Sequence, residues 1–200
     1  MESKLDSQLT LINPEPPLEL VLEKSSTPLN TRLLVDGKPR YKVSTVDRDA
    51  NITDVTDLRT NEVVATIRRR SFFSDKVKFP RRFGGKSVKK EDWMTEVKLN
   101  TGHEAWVINS ESGKFLWRWD RALRMVLTPE NDTDQILAFV KDEPPVFALC
   151  VKRSAEGSLD EIIPGFMILE HRLRMDTKSL RIADGWGANE RSTPWGTPLS

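Results

Sequence analysis

The chain has 200 residues and carries 31 Lys+Arg against 30 Asp+Glu, a formal net charge of +1, a size that suits one domain or at most two small ones. That balance argues against a globally basic nucleic-acid protein and against an acidic disordered tail. Hydrophobic residues at 38% and charged residues at 30% describe a compact core to which polar segments add length without adding core.

Residues 1–16 are polar and rich in proline towards their end (Pro14, Pro16, with Pro17 following), and read as a flexible lead-in to a domain over 17–175. Met1-Glu2-Ser3-Lys4 has no basic stretch leading into an apolar run, so no signal peptide is expected. From Leu18 onward the apolar residues recur with period two: Leu18, Leu20 and Leu22, then Val63, Ala65 and Ile67, then Phe115, Trp117 and Trp119, then Leu123, Met125 and Leu127. The runs Ile136–Val140 and Val146–Val151 are apolar on both faces, as strands covered on both sides would be. Turn signals separate these runs, among them Asp36-Gly37, Thr60-Asn61, Thr101-Gly102, Ser112-Gly113, Pro144-Pro145 and Glu156-Gly157. The pattern is that of an all-β meander of hairpins, in a sandwich or a barrel.

Ser158-Leu159-Asp160-Glu161 has the spacing of a capping box and opens an apolar segment from Ile162 to Leu169. Pro164 belongs either to the first turn of a helix starting near Ile163 or to a kink one turn further in. Arg172 and Arg174 suit a helix C-terminus. Apolar side chains cover most of this helix's circumference, so protein must surround it. A helix plugging a barrel satisfies that demand. Residues 176–200 are turn-rich, hold Trp186 and Trp195 without an apolar period, and read as a flexible tail.

The order of these elements carries a resemblance. Tyr41-Lys42-Val43-Ser44-Thr45, Val63-Val64-Ala65-Thr66-Ile67, Gly113-Lys114-Phe115-Leu116-Trp117-Arg118-Trp119, Ile136-Leu137-Ala138-Phe139-Val140 and Leu159-Asp160-Glu161-Ile162-Ile163 follow one another. The series is similar to an uncharacterised fungal domain family that resembles the tubby C-terminal and LURP-one-related proteins. The resemblance spans about residues 18–174. It implies a closed antiparallel β-barrel of about twelve strands around an apolar C-terminal helix. Relatives of that kind bind phosphoinositides or move with membranes, and function does not follow from fold alone.

Charge is most uneven over residues 68–90, where ten bases stand against one acid, Asp75, for a local charge of +9. The bases are Arg68, Arg69, Arg70, Lys76, Lys78, Arg81, Arg82, Lys86, Lys89 and Lys90, interleaved with Phe72, Phe73, Phe79 and Phe83. Phe83, beside Gly84-Gly85, is the one expected in an exposed loop. Such a segment suits an anionic membrane surface; a solvated face whose charges pair with nearby acids is the plain alternative, and nucleic acid is the least favoured partner. Arg68-Arg69-Arg70-Ser71 also has the bases that a basophilic kinase prefers, and phosphate on Ser71 would lower the local charge. Gly85-Lys86-Ser87 resembles the end of a phosphate-binding loop, but Pro80 stands where the spacing requires glycine.

Catalytic patterns are lacking. A single cysteine, Cys150, excludes an internal disulfide, and with only His103 and His171 beside it no four-ligand zinc cluster of the usual kind can be built. Cys150 lies in an apolar run, where thiols are inert, and no Gly-x-Ser-x-Gly elbow occurs. No cofactor or metal is expected. The expectation is a non-enzymatic, cytoplasmic module, peripheral to membranes through an anionic-lipid site; its rival is a protein-interaction or structural module with no lipid ligand.

Overall fold

The computed structural model describes residues 15–46, 51–70, 73–110 and 112–190, with side chains as far as 179. Its first half is a run of hairpins: β1 (Leu18–Leu22), β2 (Thr31–Val35), β3 (Lys38–Thr45), β4 (Ile52–Asp57), β5 (Glu62–Arg68), β6 (Lys76–Lys78) and β7 (Ser87–Lys89). A four-residue helical turn, α1 (Lys90–Trp93), leads to the second run: β8 (Met94–Lys98), β9 (Glu104–Ser110), β10 (Gly113–Asp120), β11 (Arg124–Pro129), β12 (Ala138–Glu143) and β13 (Val146–Val151). The helix α2 (Leu159–Glu190) ends the described chain.

All thirteen strands form one antiparallel sheet in the order β7-β6-β5-β4-β3-β2-β1-β13-β12-β11-β10-β9-β8. Each run pairs strand with next strand, and the antiparallel pairing of β1 with β13 joins the two, Leu18 opposite Val151 and Leu20 opposite Leu149. The expected closed barrel of about twelve strands is not what forms. The sheet is open, with β7 and β8 as its edges, and among the described residues no ladder joins them. The reason is local. Between β7 and β8 the chain coils as α1 instead of making a hairpin, and β6 and β7, three residues each, offer little backbone to pair. Trp93, the last residue of α1, turns inward and is 1% exposed, its ring 4.9 Å from that of Phe79.

The sheet curls around α2. Leu20, Leu33, Val55 and Ile67 from the first run share one core with Ile108, Trp117, Leu127 and Leu149 from the second and with Ile162, Ile163, Phe166 and Met167 of the helix. Residues 161–167 are all buried, so for nearly two turns the helix has no solvent-facing side. On β10, Trp117 is fully buried while Phe115 and Trp119 pack at the edge of the core, as their alternation predicts; Leu116 on the opposite face joins Ala105 and Val107 in a small second cluster.

The helix begins at Leu159, which puts Pro164 past the first turn, where it withholds a backbone donor from the carbonyl of Asp160. The capping box does not form as its spacing suggests. Ser158 Oγ lies 3.1 Å from Ser112 Oγ, and the Glu161 carboxylate reaches Ser110 and Arg82. Nor does the helix stop at Arg174: its buried part gives way there to exposed residues 175–179, and its backbone runs on to Glu190.

Candidate functional site

The basic segment folds as one margin of the sheet. In β5, β6 and β7 the cross-strand neighbours Ile67, Val77 and Val88 turn towards the core, so the bases that alternate with them point outward. Register then lines them up: Arg68 is opposite Lys76, and Lys76 is opposite Lys89. Lys78, two residues along on the same face, sits between Thr66 and Ser87. With strands ~4.8 Å apart, three cations occupy a row roughly 10 Å wide. Like charges directly opposite one another destabilise a sheet by roughly 0.2–1 kcal/mol per pair. The nearest acid on β4, Asp54, accepts a hydrogen bond from Thr66 Oγ1 at 2.6 Å and does not reach the row as an ion pair. Among the described residues, Arg68, Lys76, Lys78, Lys86 and Lys89 take part in no ion pair.

The remaining bases are used by the fold. Arg69 is half-buried and donates to Thr53 Oγ1 at 2.9 Å, burial drawing its pKa below the ordinary value. The backbone N–H of Arg70 bonds Asp75 Oδ1 at 3.0 Å, which aligns the β5–β6 connection and leaves the Arg70 side chain exposed. Arg81 pairs with Glu62 at the surface, and Lys90 with Glu91 at 3.4 Å. Arg82 reaches inward, 2.7 Å from Glu161 Oε1 and 3.7 Å from Asp160, and donates to the carbonyl of Gly157 at 3.1 Å. It belongs to the attachment of the helix. Ser71 lies outside the described residues.

Two buried carboxylates on α2 hold the helix in the sheet: Glu161, expected only as the acid of a capping box, and Glu170, which the sequence did not mark. Glu161 gathers Arg82 from the β6–β7 connection and Ser110 from β9; its Oε2 faces the indole N–H of Trp93 but falls short of hydrogen-bond geometry. Burial pushes its carboxyl above the ordinary carboxylate range against the pull of Arg82. Nine residues along, Glu170 takes both nitrogens of a fork from Arg124, at 3.0 and 2.9 Å, and a further bond from Arg174. Both guanidiniums also lie over the Phe147 ring, at 5.5 and 5.0 Å. Only the Asp-Glu at the helix start and the bases of 68–90 offered a sequence signal for any of this.

The phenylalanines sort differently from expectation. Phe83 is half-buried in a 3-10 turn, its ring 5.6 Å from Phe79. Among the described phenylalanines of the segment the exposed one is Phe73, with 74% of its surface accessible.

Elsewhere the chemistry is sparse. Cys150 is 3% exposed, and burial pushes its thiol up to about 11. His171 is partly buried beside the charge of Arg69, and both effects lower its pKa. Among the described residues no group of three or more His, Cys, Asp or Glu is placed to hold a metal ion. A groove of about 400 Å³ on the outer face of β1, β12 and β13 is lined by Pro17, Glu19, Leu123, Phe139, Lys141 and Cys150, away from the basic strands. No helix among the described residues is long and apolar enough to cross a membrane.

Residues 26–175 match the model of a family described as a family of unknown function (DUF6593). No curated protein and no solved structure matches the chain.

Proposed function

The chain belongs to the family of unknown function DUF6593, and we propose that it is a non-enzymatic module whose β5–β7 face docks on anionic membrane lipid. One observation carries the reading: among the described residues, the cross-strand row Arg68–Lys76–Lys89, with Lys78 beside it, has no acid paired to it. A fold indifferent to these charges gains stability by alternating them with acids, as it does at Arg81–Glu62 and Lys114–Glu130. Four clustered cations near an anionic bilayer contribute ~1 kcal/mol each. Together they give roughly a thousand-fold in affinity.

A location in the cytoplasm, peripheral to membranes, belongs to the same proposal, as does kinship with tubby C-terminal and LURP-one-related proteins, which rests on the order of the sequence motifs. The competing reading, a protein-interaction module, has no feature of its own as specific as this row.

Sedimentation with vesicles containing phosphatidylserine and phosphoinositide tests the proposal. Binding is expected to fall steeply as salt shortens the screening length from ~10 Å at 0.1 M towards ~3 Å at 1 M. Equal binding to neutral phosphatidylcholine vesicles, or binding indifferent to salt, would rule it out.

A further inference from the structure

The margin that carries the basic row ends in two exposed apolar side chains. Phe73 is 74% exposed in the connection between β5 and β6, and Val46, at the end of β3, is 69% exposed. Isolated surface hydrophobics need no explanation. Both stand at the same end of the sheet, each just beyond the end of its strand. The Val46 N–H bonds the carbonyl of Ile52 at 3.0 Å, and the Arg69 N–H bonds the carbonyl of Asn51 at 2.7 Å. The end of β3, the start of β4 and the end of β5 therefore meet at one end of the sheet. The Lys90 N–H, bonded to the carbonyl of Asp75 at 2.8 Å, brings the end of β7 to the same place. At that end stand Arg68, Lys76 and Lys89, in register with one another, and the exposed Arg70.

We propose that Phe73 and Val46 are interfacial anchors that enter the acyl boundary of an anionic bilayer, while Arg68, Arg70, Lys76 and Lys89 hold its headgroups. The inference rests on the lipid reading above and adds to it a mode of attachment. Coulomb attraction alone would leave the protein on the headgroup plane, held only as long as salt is low. A modest apolar contribution joined to a basic cluster is the two-signal arrangement by which peripheral attachment becomes stable, each signal being weak alone. Charge complementarity selects a lipid surface as the occupant. Phe73 is bordered by cations, and the described acid in its own connection, Asp75, accepts a hydrogen bond from the backbone N–H of Arg70. An aromatic ring flanked by bases fits the boundary where acyl chains meet anionic headgroups.

The test attaches an environment-sensitive fluorophore to the full chain at Phe73→Cys, at Val46→Cys and, as a control, at Val63→Cys. Val63 is 37% exposed near the start of β5, at its other end. Cys150, being buried, remains unlabelled in the native protein. With vesicles of phosphatidylserine and phosphatidylcholine, labels at 73 and 46 are expected to shift to shorter wavelength and to be quenched by brominated acyl chains, and the label at 63 to do neither. Phe73→Ser, an exposed position whose exchange leaves the core untouched, should weaken vesicle binding about ten-fold without changing the melting temperature. Bound protein whose label at 73 emits as it does in water overturns insertion and leaves headgroup binding standing. Failure of the unsubstituted protein to bind these vesicles overturns both.

Discussion

Gly165→Val is expected to lower the melting temperature by roughly 6–12 °C, the consequence of about 3 kcal/mol of overpacking in a domain of this size. A Cβ on Gly165 would stand 2.8 Å from Cδ1 of Ile108 and 3.1 Å from Nε1 of Trp117. Ile108 can swing its terminal methyl aside, but the Trp117 ring is rigid and fully buried. An unhindered helix would gain up to ~1 kcal/mol on exchanging glycine for alanine. Here the sign reverses because β9 and β10 press against the backbone of α2 at this turn. Gly165→Ala should therefore also destabilise, though less, since Ile108 can yield. Thermal and urea denaturation of both variants check the order; a stabilised Gly165→Ala would mean that the helix does not approach the sheet so closely.

The second large effect is expected at Glu170. Replacing it by alanine leaves Arg124 and Arg174 facing each other across the space where the carboxylate stood. Removing one partner of a buried pair costs ~3–5 kcal/mol. The lower end applies here, because the two Arg side chains retain 27% and 24% of their exposure and can recover water. Glu170→Gln, which keeps the shape and one acceptor oxygen, should cost less than half as much. Equilibrium denaturation in urea separates the two variants. Equal losses would show that the charge of Glu170 contributes little and its packing nearly everything.

What the sequence made legible was the strand pattern, because period two follows directly from the pleat. Leu18, Leu20 and Leu22 are all buried, as their alternation requires. The pattern misleads at Val63, which is exposed while Val64 is buried. A register shift opposite Val55–Thr56 inserts one residue there and turns the alternation over. The open edge was hidden for a similar reason. Lys90-Glu91-Asp92-Trp93 has too few residues to announce a helical turn, yet that turn separates β7 from β8. A resemblance in the order of motifs carried the expectation of closure past this point.

The site was half legible. Counting charge found residues 68–90, but only register shows that Arg68, Lys76 and Lys89 stand abreast while Arg82 turns inward to Glu161. A pairing between groups so far apart in the chain leaves no local signal. Nor does the exposure of Phe73 in place of Phe83. The glycines beside Phe83 permit positive φ at Gly84 and Gly85, and the tight turn they allow folds its ring back onto Phe79.

The most direct test of the lipid-docking face compares two double variants of equal charge. Lys76→Glu/Lys89→Glu reverses the row, and Lys42→Glu/Lys152→Glu makes the same change outside the β5–β7 face, at two exposed lysines that take part in no ion pair among the described residues. Sedimentation with phosphatidylserine and phosphoinositide vesicles, at unchanged melting temperature, should show the first losing at least about a hundred-fold in affinity. The second should lose only the small amount that screened, distant charge accounts for. Equal losses in the two, or full binding by the first, would contradict a docking role for the β5–β7 face.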